Sequence, residues 1–112
     1  MSDRKAIRYI SLAAKAGRLI IGFNDCEKAV RKQRKIGMMI LAADAGGNTI
    51  HRAERLAEAP GVKLMVTEYS KSELAAAVGR GGSVALALVA DEGLAAAFAA
   101  ASANGMEQEE RK

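Results

Sequence analysis

The segment from Gly22 to Lys28, Gly-Phe-Asn-Asp-Cys-Glu-Lys, carries side chains suited to holding a nucleic acid. The amide of Asn24 can donate and accept hydrogen bonds at a base edge, and the ammonium group of Lys28 can hold a phosphate. The segment lies where a predicted strand meets a predicted helix, and free N–H groups at a helix N-terminus favour anionic oxygens. This chemistry favours binding to a phosphate-rich polymer, with RNA as the leading interpretation.

More cations follow at once along the same predicted helix, namely Arg31, Lys32, Arg34 and Lys35. Residues 1–35 contain ten Lys and Arg against three acidic residues, whereas residues 36–112 contain seven against ten, within a net charge of +4. Cations near a helix N-terminus oppose the helix dipole, so a bound polyanion would explain their position. The asymmetry predicts one cationic face, although a solvated basic surface without a ligand is an open alternative.

A purely structural role for this segment is also open. Asn24 could cap the helix through its side chain, and Glu27, three residues later, could complete a capping box.

A second loop follows a predicted buried strand and contains Asp44, Gly46 and Gly47. In α/β sheets, ligands bind in loops at the carboxyl ends of strands, and two glycines let a phosphate or base lie close to the backbone. A plain turn in which Asn48 caps the next helix explains the same residues.

A third loop contains Arg80, Gly81, Gly82 and Ser83. It lacks the Gly-Lys-Ser/Thr ending of a Walker loop and leads into a strand. One arginine among glycines suits an RNA backbone, and an ordinary flexible connection would have the same composition.

The sequence contains no arrangement typical of catalysis or metal binding. His51 is the only histidine, which favours a structural role. Cys26 is the only cysteine; Lys28 beside it could lower the pKa of its thiol, but packing is the preferred interpretation. Helix capping explains three further acidic residues, which are Asp44, Asp91 and Glu92. We therefore expect a protein that is not an enzyme and needs no metal or cofactor.

Hydrophobic periodicity and turn residues predict alternating helices and strands. Helices are predicted at about 3–17, 25–34, 49–58, 70–78 and 91–103, and strands at 19–21, 38–43, 63–67 and 83–90. Helices between regularly spaced strands indicate an α/β/α sandwich of three layers with a central, mixed four-stranded sheet. Residues 1–103 are predicted to form one domain with an aliphatic core, and residues 104–112 a polar, frayed tail.

Taken together, the order and spacing of segments 12–19, 22–28, 41–45 and 78–86 resemble the kink-turn RNA-binding ribosomal protein family. Its members include archaeal L-seven-Ae and eukaryotic L-thirty-e, and the chain is similar in size to the bacterial YlxQ-type members. The resemblance implies the same α/β/α fold. It also implies a sharply bent RNA partner whose bend is held by tandem sheared G·A pairs.

The family motif Gly-x-Asn-Glu-x-x-Lys is matched directly by Asn24 and Lys28, while Asp25 replaces the glutamate with a shorter side chain. The resemblance implies that Asn24 and Asp25 contact guanines, that Lys28 contacts the RNA backbone and that Ile50 borders the RNA. Two loops depart from the family pattern. Gly46 and Gly47 stand where the family often has an acidic residue and a proline. In the loop of Gly81, Gly82 and Ser83, relatives present apolar or basic residues to a flipped-out nucleotide, a contact that glycines cannot make.

We therefore predict a non-enzymatic protein that binds ribosomal or other noncoding RNA in the bacterial cytoplasm. The residues expected to hold phosphates are Lys28, Arg31, Lys32 and Arg80. No apolar run in the sequence is long enough to span a membrane, and no membrane partner is expected. The alternative is a protein-interaction scaffold of the same fold that contacts ribosome- or translation-associated proteins.

Overall fold

The computed structural model describes residues 3–102, which contain five helices and four strands. In chain order they are α1 (Asp3–Lys15), β1 (Leu19–Ile21), α2 (Phe23–Arg31), β2 (Met38–Leu41), α3 (Gly47–Glu58), β3 (Leu64–Val66), α4 (Lys71–Ala77), β4 (Leu86–Val89) and α5 (Glu92–Ala101). The predicted order of elements is confirmed. The predicted tail, residues 104–112, lies outside the described residues. Within residues 3–102 no helix has both the length and the apolar character needed to cross a membrane.

The four strands form one sheet in the order β1-β4-β2-β3. β4 pairs antiparallel with both β1 and β2, and β2 pairs parallel with β3. In the register, Leu88 lies opposite Ile20 on one side and Met39 on the other. The mixed four-stranded sheet predicted from the sequence is therefore confirmed.

Helices cover both faces of the sheet and bury an aliphatic core on each side. Side chains alternate between the two faces along a strand, so that Ala87 and Val89 of β4 pack on one side while Leu86 and Leu88 pack on the other. The first face is covered by α1, α4 and α5, with Phe98 of α5 fully buried. The second face is covered by α2 and α3. This is the predicted three-layer arrangement.

Side chains cap two of the helices, and one of them, Asp91, is a capping residue predicted from the sequence. The hydroxyl of Ser70 accepts a hydrogen bond from the backbone N–H of Glu73, and the Glu73 carboxylate accepts one from the Ser70 N–H, which completes a capping box on α4. Asp91 caps α5 by accepting a hydrogen bond from the N–H of Leu94. These caps satisfy N–H groups that a helix N-terminus leaves unpaired.

Candidate nucleic-acid interface

The N-terminus of α2 differs from its predicted form. The capping residue is Gly22, whose φ of 90° favours glycine, and no side chain caps this helix. Asn24 is the second helical residue and is exposed, so the alternative in which it caps the helix is wrong. The predicted capping box with Glu27 is wrong for the same reason. The helix begins two residues earlier than predicted because Gly22, and not Asn24, is its capping residue.

Three loops meet at one end of the sheet. The N–H of Gly22, after β1, donates to the carbonyl of Leu86 at 2.9 Å, and the N–H of Ala42, after β2, donates to the carbonyl of Ala85 at 2.9 Å. Both acceptors lie where the loop 79–85 enters β4. Because β4 is antiparallel to β1 and β2, the loop before β4 lies at the same end of the sheet as the loops after β1 and β2, so the segments that begin at Gly22, Ala42 and Gly79 are neighbours.

Asp44 holds this loop cluster to α4. Its carboxylate Oδ1 accepts a hydrogen bond from the N–H of Lys71 at 2.9 Å, and the carbonyl of Lys71 accepts one from the N–H of Val84 at 3.1 Å. The expected capping role of Asp44 is therefore exerted on the first residue of α4, not on α3.

A cationic groove of about 370 Å³ runs along β1 beside α2. Nine residues line it: Leu19, Ile20, Ile21, Asp25, Lys28, Ala29, Lys32, Arg34 and Arg80. Asp25 and Lys28 of α2 and Lys32, which directly follows α2, lie seven or fewer positions apart along one side of the helix, and Arg80 joins them from the third loop. Four cations and one carboxylate thus share one concave surface.

The two arginines of the cationic groove are placed there by the same kind of helix ending. After α2, the N–H of Arg34 donates to the carbonyl of Ala29 at 3.0 Å, with Gln33 in the left-handed region at a φ of 57°. After α4, the N–H of Arg80 donates to the carbonyl of Ala75 at 2.9 Å, with Gly79 at a φ of 76°. This Schellman pattern reverses the chain direction, so each arginine turns back beside its helix.

The left-handed residue at Gln33 also corrects two expectations about α2. The helix ends at Arg31, not near residue 34, and it is nine residues long. Lys28 and Arg31 therefore lie in its last turn, where cations interact favourably with the helix dipole. The dipole argument for a bound polyanion is wrong, because the positions of these cations are favourable without a ligand. Arg31 is exposed but lies outside the cationic groove, unlike Lys32.

The N-terminus of α3 lies beside α2. Its capping residue is Gly46 and its first residue is Gly47, so the predicted cap at Asn48 is wrong. A Cβ atom built at either glycine meets nothing within 4 Å, which leaves open space in front of this backbone. Ile50 is half-buried, packed against the core beneath α2 and α3.

Arg52 connects α3 to α2. Its guanidinium carbon lies 4.2 Å from the centroid of the Phe23 ring, and its Nη2 lies 3.2 Å from Oε2 of Glu27. The cation–π contact and the ion pair fix the relative position of the two helices near their N-termini.

The rest of the third loop is open. Gly81, Gly82 and Ser83 are all exposed, and a Cβ atom at Gly81 or Gly82 meets no atom within 4 Å. Gly82 has a φ of 85°, which favours glycine. Of this loop, only Arg80 lines the cationic groove.

Neither Cys26 nor His51 forms a reactive site in the structure. The Cys26 thiol is fully buried, and burial, together with the charges of Asp25 and Glu27, raises its pKa to about 12. The possibility of a thiol activated by Lys28 is therefore wrong, and the packing role is confirmed. His51 is exposed, and its Nδ1 lies 3.5 Å from Oε1 of Glu54. Within residues 3–102, no group of three or more His, Cys, Asp or Glu side chains could hold a metal ion.

The sequence pattern of the ribosomal protein L7Ae/L30e/S12e/Gadd45 family matches residues 4–99. The chain belongs to this family. The predicted family resemblance is thereby confirmed, while the YlxQ-type assignment stays a prediction. The matched range contains every candidate contact residue from Gly22 to Ser83, so membership of the L7Ae/L30e/S12e/Gadd45 family bears on the whole interface.

Solved structures agree with this family fold. A Bacillus halodurans protein of unknown function is 26% identical, with a TM-score of 0.77 over 87% of this chain and 95% of that one. The Giardia lamblia 15.5kD RNA binding protein is 22% identical, with a TM-score of 0.65 over 82% of this chain and 79% of that one. At this identity the second similarity shows the fold alone. No curated protein matches the chain significantly.

Proposed function

We propose that this protein binds structured RNA, and that its target is a kink-turn-like element in ribosomal or other noncoding RNA. Membership of the L7Ae/L30e/S12e/Gadd45 family supports RNA binding in general. The observation that carries the proposal is that Asn24 and Asp25 are exposed and do not cap α2, and that Asp25 lines the cationic groove. Both side chains are therefore available to a ligand.

The two polar side chains suit the reading of bases. The Asn24 amide offers a donor and an acceptor to a purine edge, and the Asp25 carboxylate accepts hydrogen bonds from a guanine. A regular RNA helix hides its bases in a deep groove, whereas a bent or irregular element opens them. Asn24 and Asp25 are thus assigned to purines of an opened RNA element.

The cations suit the holding of the RNA backbone. Lys28, Lys32 and Arg80 lie in the cationic groove and are assigned to phosphates. Arg34 joins this set, because the reversal at Gln33 places it in the same groove. Arg31 is exposed but lies outside the groove, and we assign it no phosphate.

The other two loops complete the proposed contact surface. Open space in front of Gly46 and Gly47 leaves room for a strand of RNA, with Ile50 at its border. Gly81, Gly82 and Ser83 cannot present the apolar or basic side chains of relatives, so we assign them backbone contacts only. Asp44 positions this surface through its bond to Lys71. The proposal includes no cofactor and no catalytic step, and it places the protein in the cytoplasm.

The variant Asn24→Ala tests the base-reading role. It should weaken binding to a kink-turn RNA by on the order of 1–3 kcal/mol, by analogy with bidentate base contacts. Binding to a control RNA, in which Watson–Crick pairs replace the tandem G·A pairs, should change little. Ser72→Ala is the matched control, because Ser72 is also an exposed polar side chain at the second position of a helix and is not among the proposed contact residues. An equal loss on both RNAs for Asn24→Ala would refute base reading.

A further inference from the structure

The outer edge of β1 is a part of the interface that the RNA proposal does not use. In the sheet order β1 is terminal, and within residues 3–102 only β4 pairs with it. The N–H of Ala90 donates to the carbonyl of Arg18 at 2.8 Å, and the N–H of Gly22 donates to that of Leu86 at 2.9 Å. These bonds fix which residues of β1 face β4.

Bonding direction alternates along an antiparallel strand. Because Arg18 and Gly22 bond towards β4, Ile20 between them does so as well, opposite Leu88. Leu19 and Ile21 therefore direct their N–H and C=O groups away from β4. Each of these two residues therefore offers one N–H donor and one C=O acceptor, and the two residues lie two positions apart.

This open edge forms part of the cationic groove. All three residues of β1 line it, as do Lys28 of α2 and Lys32 directly after that helix. Arg80 reaches it from the third loop. The groove contains four cations against the single carboxylate of Asp25. Lysines beside an edge strand usually deter the addition of another strand. Here they would deter neutral and basic strands, while an acidic strand would be attracted.

We propose that an extended acidic segment of a partner protein binds this groove by adding to β1 as a fifth strand. The backbone groups of Leu19 and Ile21 favour a polypeptide over RNA, because a strand supplies both donors and acceptors at a two-residue spacing. A phosphodiester backbone supplies acceptors. Alternate side chains of the added strand would face the two sides of the groove, so acidic groups at every second position would meet Lys28 and Lys32 on the side of α2.

Occupation of the groove by such a segment would exclude RNA from the same cations. The acidic partner would then act as a competitor for Lys28, Lys32 and Arg80. This inference is independent of the kink-turn proposal, since strand addition at β1 requires only the open edge and the charge of the groove.

The inference is tested by measuring amide hydrogen exchange of the protein by NMR, with and without a short synthetic peptide of alternating Glu and Val. In the free protein, the Leu19 and Ile21 amides should exchange faster than the Ile20 amide, which is bonded within the sheet. With the peptide at about nine times its Kd, exchange at Leu19 and Ile21 should slow about tenfold, because only the free protein then exchanges. Exchange at Ile20 should change little.

Two controls separate strand addition from simple charge attraction. A peptide of equal charge with proline in place of valine cannot donate at those positions, and it should give no protection of Leu19 or Ile21. Lys32→Ala should weaken binding of the Glu–Val peptide, whereas Arg31→Ala, outside the groove, should not.

Equal binding of the proline peptide, or protection that does not alternate along β1, would overturn the inference. Protection of Leu19 and Ile21 by kink-turn RNA and not by the peptide would also overturn it, and would assign the edge to nucleic acid. The RNA titration gives its own result, so failure of either proposal is recognised separately.

Discussion

Replacing Lys32 with alanine should remove one phosphate contact, whereas replacing the neighbouring Arg31 should not. Both residues are exposed at the end of α2, yet only Lys32 lines the cationic groove. The groove holds four cations, and each phosphate neutralised on duplex nucleic acid contributes about 0.9 to the slope of log affinity against log salt. If every cation holds one phosphate, the slope is about −3.6 for the natural protein and about −2.7 for Lys32→Ala.

These slopes translate into a measurable difference. Raising salt from about 50 mM to about 200 mM should weaken RNA binding ~150-fold for the natural protein and ~40-fold for Lys32→Ala. Fluorescence anisotropy titrations of a labelled structured RNA across this salt range give both slopes. Arg31→Ala, checked for equal thermal stability, should keep the natural slope. Equal reductions in slope for the two variants would refute the assignment of phosphates to the cationic groove.

Three predictions concern stability. Gly37→Ala should lower the free energy of unfolding by about 1–3 kcal/mol, because the new Cβ would lie 2.7 Å from the backbone oxygen of Asp91; chemical denaturation measures this, and a loss no larger than that of Gly46→Ala, where the space is open, would contradict it. Ser70→Ala should cost about 1 kcal/mol by removing the capping box of α4, and unchanged stability in the same assay would count against that cap. The pKa of Cys26 is raised to about 12, so the folded state favours its neutral thiol, and this thiol should resist alkylation at neutral pH. The stability that the neutral thiol contributes should be constant below about pH 8.5, the pKa of a free thiol, and should decline as the pH rises towards 12. Rapid alkylation of the folded protein would show that the thiol is not buried.

Local signals in the sequence were sufficient for several elements. The run from Leu19 to Ile21, which Gly22 ends, gave the bounds of β1 as the structure has them. The helix predicted at about 70–78 agrees with α4, for which Ser70 is the capping residue. Burial of β2 on both faces followed from its continuous apolar run.

Features that depend on backbone conformation or distant contacts were not predictable in this way. The end of α2 at Arg31 is not predictable from the sequence, because Gln33 adopts the left-handed conformation that usually requires glycine or asparagine. For the same reason Arg34 was not recognised as a groove residue. The position of β1 at the sheet edge depends on its pairing with β4, some seventy residues away, and no local sequence pattern predicts that pairing.

The central claim is that the protein recognises the shape and base pairs of a bent RNA, and one titration tests it most directly. A labelled kink-turn RNA is compared, at two salt concentrations, with a control whose tandem G·A pairs are changed to Watson–Crick pairs. We expect tight binding to the kink-turn RNA and a clear loss on the control at both salt concentrations. Equal, strongly salt-dependent binding to both RNAs would contradict motif recognition, and the absence of binding to either would contradict RNA binding itself.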